Sequence, residues 1–191
     1  MTRQTLSAGF SSSWLAHDAW SEGYVGVHRL IYELLPLPSM HQRAEDGALC
    51  QLALVGSQHI VEIALTNLLR PFVAEALTSP ANSKGKRQFE HASHLKRLNY
   101  WVPKVTGRII QFDEEPFISL DRLRDRRNST VHAESSLATV QMARSALFSA
   151  VRGTQALHRH FGQPFPYKQV LSKYPIPPEP WFSQVAFPRV S

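Results

Sequence analysis

The sequence predicts an all-α protein: an up-down bundle of four to five helices with an extended Pro/aromatic C-terminal tail. Three observations predict it. Apolar residues recur at three- and four-residue spacings through most of the chain, which is the period of one helix face. No segment alternates apolar and polar residues as a half-buried strand does. Seven of the thirteen prolines fall in the last 30 residues, which leaves the preceding chain open to long helices.

Residues 1–44 read as an N-terminal extension with short helices. Ser11, Ser12 and Ser13 offer caps for a helix carrying Trp14, Leu15 and Trp20. A helix over 24–35 places Val27, Leu30, Ile31, Leu34 and Leu35 at helical spacing, and Pro36 and Pro38 end it. The longest pattern runs from Glu45 to Leu77, with Leu49, Leu52, Ile60, Ile63, Leu68, Phe72 and Ala76 inward. Gly56 there permits close packing, and Pro71 is expected to kink or split the helix. Residues 79–87 have loop composition. A third helix is expected over 88–105, with Phe89, Ala92, Leu95, Leu98 and Val102 as its apolar stripe and Pro103 disturbing its end.

Residues 111–116 are acidic and loop-like. Ser119 is the expected N-cap of a short helix over 120–127. Asn128, Ser129 and Thr130 are poor helix-interior residues, so a break is expected there. A last long helix over 136–160 turns Leu137, Val140, Leu147, Val151 and Leu157 inward, and Gly162 and Pro164 stop it. Residues 162–191 hold six aromatics: Phe165, Tyr167, Tyr174, Trp181, Phe182 and Phe187. A disordered tail is normally poor in aromatics. This one is expected to lie as extended chain on the body of the protein or on a partner.

At 191 residues the chain can bury one domain core. No uncharged apolar run approaches the roughly 20 residues of a membrane span. No basic-then-apolar secretory pattern opens the sequence, so the expectation is a cytoplasmic protein without a membrane partner. Cys50 is the sole cysteine, which excludes an internal disulfide and a cysteine-based zinc site. His91 with His94, and His158 with His160, lack a supporting carboxylate pattern, so neither a metal nor another cofactor is expected. Lys and Arg outnumber Asp and Glu by 21 to 15, which fits a nucleic-acid partner. Many soluble proteins are equally basic, so the distribution is the more telling feature. Arg122, Arg124, Arg126 and Arg127 crowd the approach to His132. No helix-turn-helix with a basic recognition helix is visible, which disfavours a DNA-binding regulator.

The chemistry suggested by Arg127, Asn128 and His132 is metal-free RNA cleavage. Histidine exchanges protons near neutral pH, and arginine matches phosphate with a planar fork of donors. His132 would move the proton of a ribose 2′-hydroxyl while Arg127 holds the charge developing on the phosphate. Asn128 would contact phosphate or fix the turn. Glu62 would orient Arg127 or His132, and Arg126 would be an auxiliary phosphate contact or a solvated charge. The bland alternatives are an Arg127 ion pair with Asp125 or Glu62, and a His132 that caps the last helix. On an unbroken helix, five residues turn the direction by roughly 140° and advance it about 7.5 Å. Arg127 and His132 therefore need either a helix break or a second copy to meet.

A helical bundle with Arg-Asn-x-x-x-His entering its last long helix resembles the HEPN superfamily. That superfamily includes toxin, CRISPR-associated and phage-defence ribonucleases, and also non-catalytic binding modules. The matching residues are Arg127, Asn128 and His132; residues 120–126 look like the family's lead-in helix, and Glu62 resembles its acidic residue on the first core helix. The resemblance covers residues 45–161 as a HEPN-like domain. It implies a metal-independent endoribonuclease in a toxin-antitoxin or defence context, or a binding and assembly module without catalysis. The implied partners are RNA, a second copy forming a homodimer around 126–132, and an antitoxin or regulatory protein. The last long helix is expected to contribute apolar surface to that homodimer. One position departs from the pattern: toxins paired with a nucleotidyltransferase antitoxin often carry tyrosine two residues after the histidine, and Glu134 stands here.

Overall fold

The computed structural model describes residues 19–37, 44–76, 88–89, 91–131 and 137–185. Among them every regular element is a helix, as the apolar spacing predicts. Helix α1 spans residues 19–34, and its last turn, Leu30–Leu34, widens to a π-helix. It begins before residue 24, because Trp20 and Tyr24 continue the buried face of Val27, Ile31 and Leu35. Leu34 falls outside that face and is exposed. Leu35 ends the helix in an extended conformation (φ −78°, ψ 144°), the region that a following proline favours.

Helix α2, Ala44–Ala76, is the central element and touches α1 and three later helices. Pro71 does not split it. Proline removes the donor for the carbonyl four residues back, and here Asn67 and Pro71 both lie on the exposed side, where water reaches that carbonyl. Because its neighbours surround it, α2 buries more than one face, from Cys50 through Leu54, Ile60, Val61, Leu65 and Leu69. Leu52 points outward instead. Within Asp46–Val73 an 18-residue window reaches a mean hydropathy of 1.4, long and apolar enough by length and composition to cross a membrane, and half of that window is buried inside the protein. Gly56 lies where α1 crosses: a Cβ there would sit 2.5 Å from Val27 Cγ2.

The pattern over 88–105 is interrupted. Ser93 Oγ accepts from the Lys96 amide and starts a new helix, α3, built of His94–Lys96, a π-turn at Arg97–Trp101, and Val102–Thr106. The Val102 amide reaches back to the Arg97 carbonyl, and this wider turn precedes Pro103, which lies within the helix. Phe89, Ala92, Leu98 and Val102 are buried as expected, whereas Leu95 is largely exposed.

Helix α4, Phe117–Val131, corrects two expectations. Ser119 is not its N-cap. The Glu115 carboxylate accepts from the Ser119 amide at 3.3 Å, and the Ser119 hydroxyl is buried facing the tail. The break at 128–130 is also absent, because the helix runs on to Val131. Arg127 Nη1 donates to Asn128 Oδ1 at 3.2 Å, which engages the group that would compete for the backbone.

Helix α5, Val140–His160, is capped by Thr139, whose hydroxyl accepts from the Met142 amide at 3.1 Å. It ends in a Schellman turn: Gly162 has φ +65°, its amide reaches the Arg159 carbonyl, and the Gln163 amide reaches that of His158. Nearly every residue between Val140 and His158 is buried, so α5 spends its apolar face within its own chain. Leu137 lies before the helix and is 74% exposed, against the inward expectation.

Residues 163–185 lie on the body of the protein, with short helices α6, Lys168–Lys173, and α7, Phe182–Val185. Phe182 is fully buried, and its amide donates to Ser149 Oγ at 2.9 Å. The Ser183 amide donates to Ser119 Oγ at 3.1 Å. Tyr167 stacks on Trp20 with centroids 4.2 Å apart. Phe187, the loop at 79–87 and Trp14 lie outside the described residues.

Candidate functional site

Helix α4 positions the predicted site residues through its own amphipathic pattern. Leu120, Leu123 and Arg126 form the buried stripe, and Arg127 and Asn128 follow on a half-buried face. Arg126 is 5% exposed and donates from Nη2 to the Leu137 carbonyl, so it is neither a solvated charge nor a surface phosphate contact in this arrangement. Burial pushes its pKa down.

Arg127 forms no ion pair among the described residues. The two acids considered for it are engaged elsewhere. Asp125 pairs with Arg124 at 2.7 Å, and Glu62 Oε1 accepts from Gln58 Nε2 at 3.4 Å. His132 lies outside the described residues.

Polar groups of α2 and α3 meet near His94, on which the charge of Arg127 also acts. On α2 the Glu62 carbonyl accepts from Thr66 Oγ1 at 2.7 Å, and that hydroxyl accepts from Arg97 Nη1 of α3 at 2.8 Å. The Arg97 guanidinium lies over the Phe89 ring, 5.4 Å from its centroid. Next on α3 stands His94, close enough to Arg124, Arg97 and Arg127 for all three charges to act on it. Burial first, and then those arginines, lower its pKa to about 4. Its Nδ1 and the Arg97 Nε are both buried without a hydrogen-bond partner.

This arrangement is cationic. Arg124 is neutralised by Asp121 and Asp125, each at 2.7 Å, but among the described residues Arg97 and Arg127 have no carboxylate partner. An imidazole held neutral near pH 7 keeps one donor and one acceptor nitrogen. Unsatisfied guanidinium donors beside it complement a phosphate. At about 4 the His94 pKa is too low for efficient proton abstraction near neutral pH, so its suited role is contact.

Sequence reasoning placed His94 only in a metal pair with His91. His91 is exposed, and among the described residues no group of three or more His, Cys, Asp or Glu side chains stands together. The signal available beforehand was the spacing of His94 and Arg97, one turn apart on α3. Their meeting with α4 is a tertiary fact. His158 and His160 are separately engaged: His158 packs edge-on to Phe165 and Tyr167, and His160 Nε2 lies 3.2 Å from Thr106 Oγ1. Cys50 is a buried thiol whose pKa burial raises to about 11.

Comparison with protein-family models, curated proteins and solved structures gives no match.

Proposed function

We propose that this chain is a HEPN-like, metal-independent endoribonuclease. Arg127 clamps the scissile phosphate, and His132 serves as general acid/base for attack by the 2′-hydroxyl. The products are a 2′,3′-cyclic phosphate and a 5′-hydroxyl. The observation that carries this reading is Arg127 itself. Among the described residues it has no carboxylate partner, and its charge acts on His94 together with those of Arg124 and Arg97, where a phosphodiester would complete the charge.

Continuity of α4 through Val131 removes a hinge at 128–130 as the means of joining Arg127 to His132. The reading therefore takes a homodimer in which two copies build one cleft. Since α5 is committed to its own core, the apolar contribution comes from exposed side chains such as Leu137. Glu134 argues against a nucleotidyltransferase antitoxin as the partner protein, which leaves another antitoxin or regulator. End-group analysis of RNA cut in EDTA, with light scattering on the same sample, tests the proposal. Cyclic phosphate ends and a dimer at micromolar concentration are expected. A monomer that cuts, or products with 3′-hydroxyl ends, would refute it.

A second reading is a HEPN-like RNA-binding or assembly module without catalysis. The observation favouring it is the low pKa of His94, which makes the described part of the site a contact surface rather than a proton-transfer centre. Tight RNA binding without cleavage by the wild type would select it.

A further inference from the structure

Away from the arginine cluster, α1, the C-terminal part of α2, the end of α5 and the tail enclose an open groove of about 1200 Å³. We propose that this groove is a binding site for a small amphipathic anion, with its apolar body along the groove wall and its head group between Arg70 and Lys173.

The walls are apolar and held in place. Leu68 and Phe72 come from α2, Val25 from α1, and Tyr167 and Val170 from the tail. Tyr167 is stacked on Trp20, and the Tyr24 hydroxyl donates to the Tyr174 carbonyl, so both aromatic residues from the tail are fixed. The volume exceeds that of a side-chain packing defect and lies somewhat above the roughly 300–1000 Å³ typical of ligand clefts, as suits a groove open to solvent.

The charge is unbalanced in one direction. Arg70 and Lys173 are exposed lining residues, and neither forms an ion pair among the described residues. Glu22 is the one carboxylate among the lining residues. An anionic head group complements these two cations, whereas a cationic ligand is repelled by them. A buried polar group stands in the wall. His158 also lines the groove, is 7% exposed, and its Nδ1 has no hydrogen-bond partner. Burial lowers its pKa and favours the neutral ring, against a hydrogen bond with the Pro164 backbone that acts the other way. Apolar walls with a few polar groups converging on them are the usual composition of a small-molecule site.

The test is calorimetric titration of the full chain with decanoate, decyl phosphate and decanol below their aggregation concentrations. Saturable binding of one equivalent of an anionic probe is expected, with decanol at least tenfold weaker. Arg70→Glu with Lys173→Glu should weaken the anionic probes at least tenfold; both positions are exposed, and an unchanged melting curve for the double variant verifies its fold. The tighter of the two anions identifies the head group. No saturable binding up to millimolar probe, equal binding of decanol, or an affinity untouched by the charge reversal would each overturn the proposal.

Discussion

Arg126 on α4 donates a hydrogen bond to the carbonyl of Leu137, three residues before α5 begins. The guanidinium is buried, so this contact is structural: it joins two helices of the bundle through a charged donor. Arg126→Met keeps the bulk of the stem but removes that donor. A hydrogen bond from a charged group contributes roughly 1.5–3 kcal/mol, so urea denaturation should show a loss of that order. An unchanged midpoint would show that the contact contributes nothing.

His94 gives the fold a dependence on acid. Its imidazole takes a proton near 6.5 when unfolded and near 4 when folded. Between those values the unfolded chain binds more protons, so stability is full above about 6.5 and falls as the pH drops towards 4. His158, also lowered by burial, acts with the same sign. His94→Asn should therefore flatten the decline in denaturation midpoint between pH 6.5 and 4 without abolishing it. A variant with the same slope as the wild type would contradict this account of His94.

Two glycines in helices should respond oppositely to alanine. A Cβ on Gly153 of α5 would lie 2.5–2.7 Å from Cγ, Cδ1 and Cδ2 of Leu120, which is itself fully buried. Overpacking costs about 1–3 kcal/mol, more than the roughly 1 kcal/mol of helix propensity gained, so Gly153→Ala should lower the melting temperature. Gly26 on α1 meets nothing within 4 Å, so Gly26→Ala should raise it by the propensity term alone. Equal shifts in the two variants would show that the α4–α5 contact is looser than described.

Phe182 anchors the tail. It is fully buried, its amide is held by Ser149, and Glu179 nearby accepts from Gln141 Nε2 at 2.9 Å. Phe182→Ala should cost about 3–5 kcal/mol, as other buried phenylalanines do. Hydrogen exchange at 175–185 that is already rapid in the wild type would contradict an anchored tail.

Much of the fold was legible in local pattern. The spacing of Val27 and Ile31, the run through α2, and the stops at Pro36 and Gly162 follow from helix period and backbone chemistry alone. What escaped was set by neighbours. Ser119 looks like a cap because serine usually caps, but Glu115 takes that role and the tail takes Ser119. Asn128 looks like a break, but Arg127 occupies its side chain. Leu52 and Leu137 look inward by spacing, yet both are exposed. Arg126 reads as a surface charge until the fold buries it and supplies the Leu137 carbonyl as its acceptor. Of the candidate site, Arg127 and Asn128 were legible as a motif. His94 and Arg97 were not, because only the tertiary fold brings His94 within range of the charges on α4.

The central claim is that Arg127 and His132 cleave RNA without a metal. Its most direct test is the rate of single-stranded RNA cleavage in EDTA by the wild type, Arg127→Ala and His132→Ala, with RNA affinity measured alongside. Loss of the proton-transfer group should lower the rate by about 10²–10⁴ while RNA binding is largely kept. Loss of the clamp should lower the rate by at least roughly 10² and weaken binding as well. Cleavage that requires magnesium, or that survives both substitutions, would contradict the account.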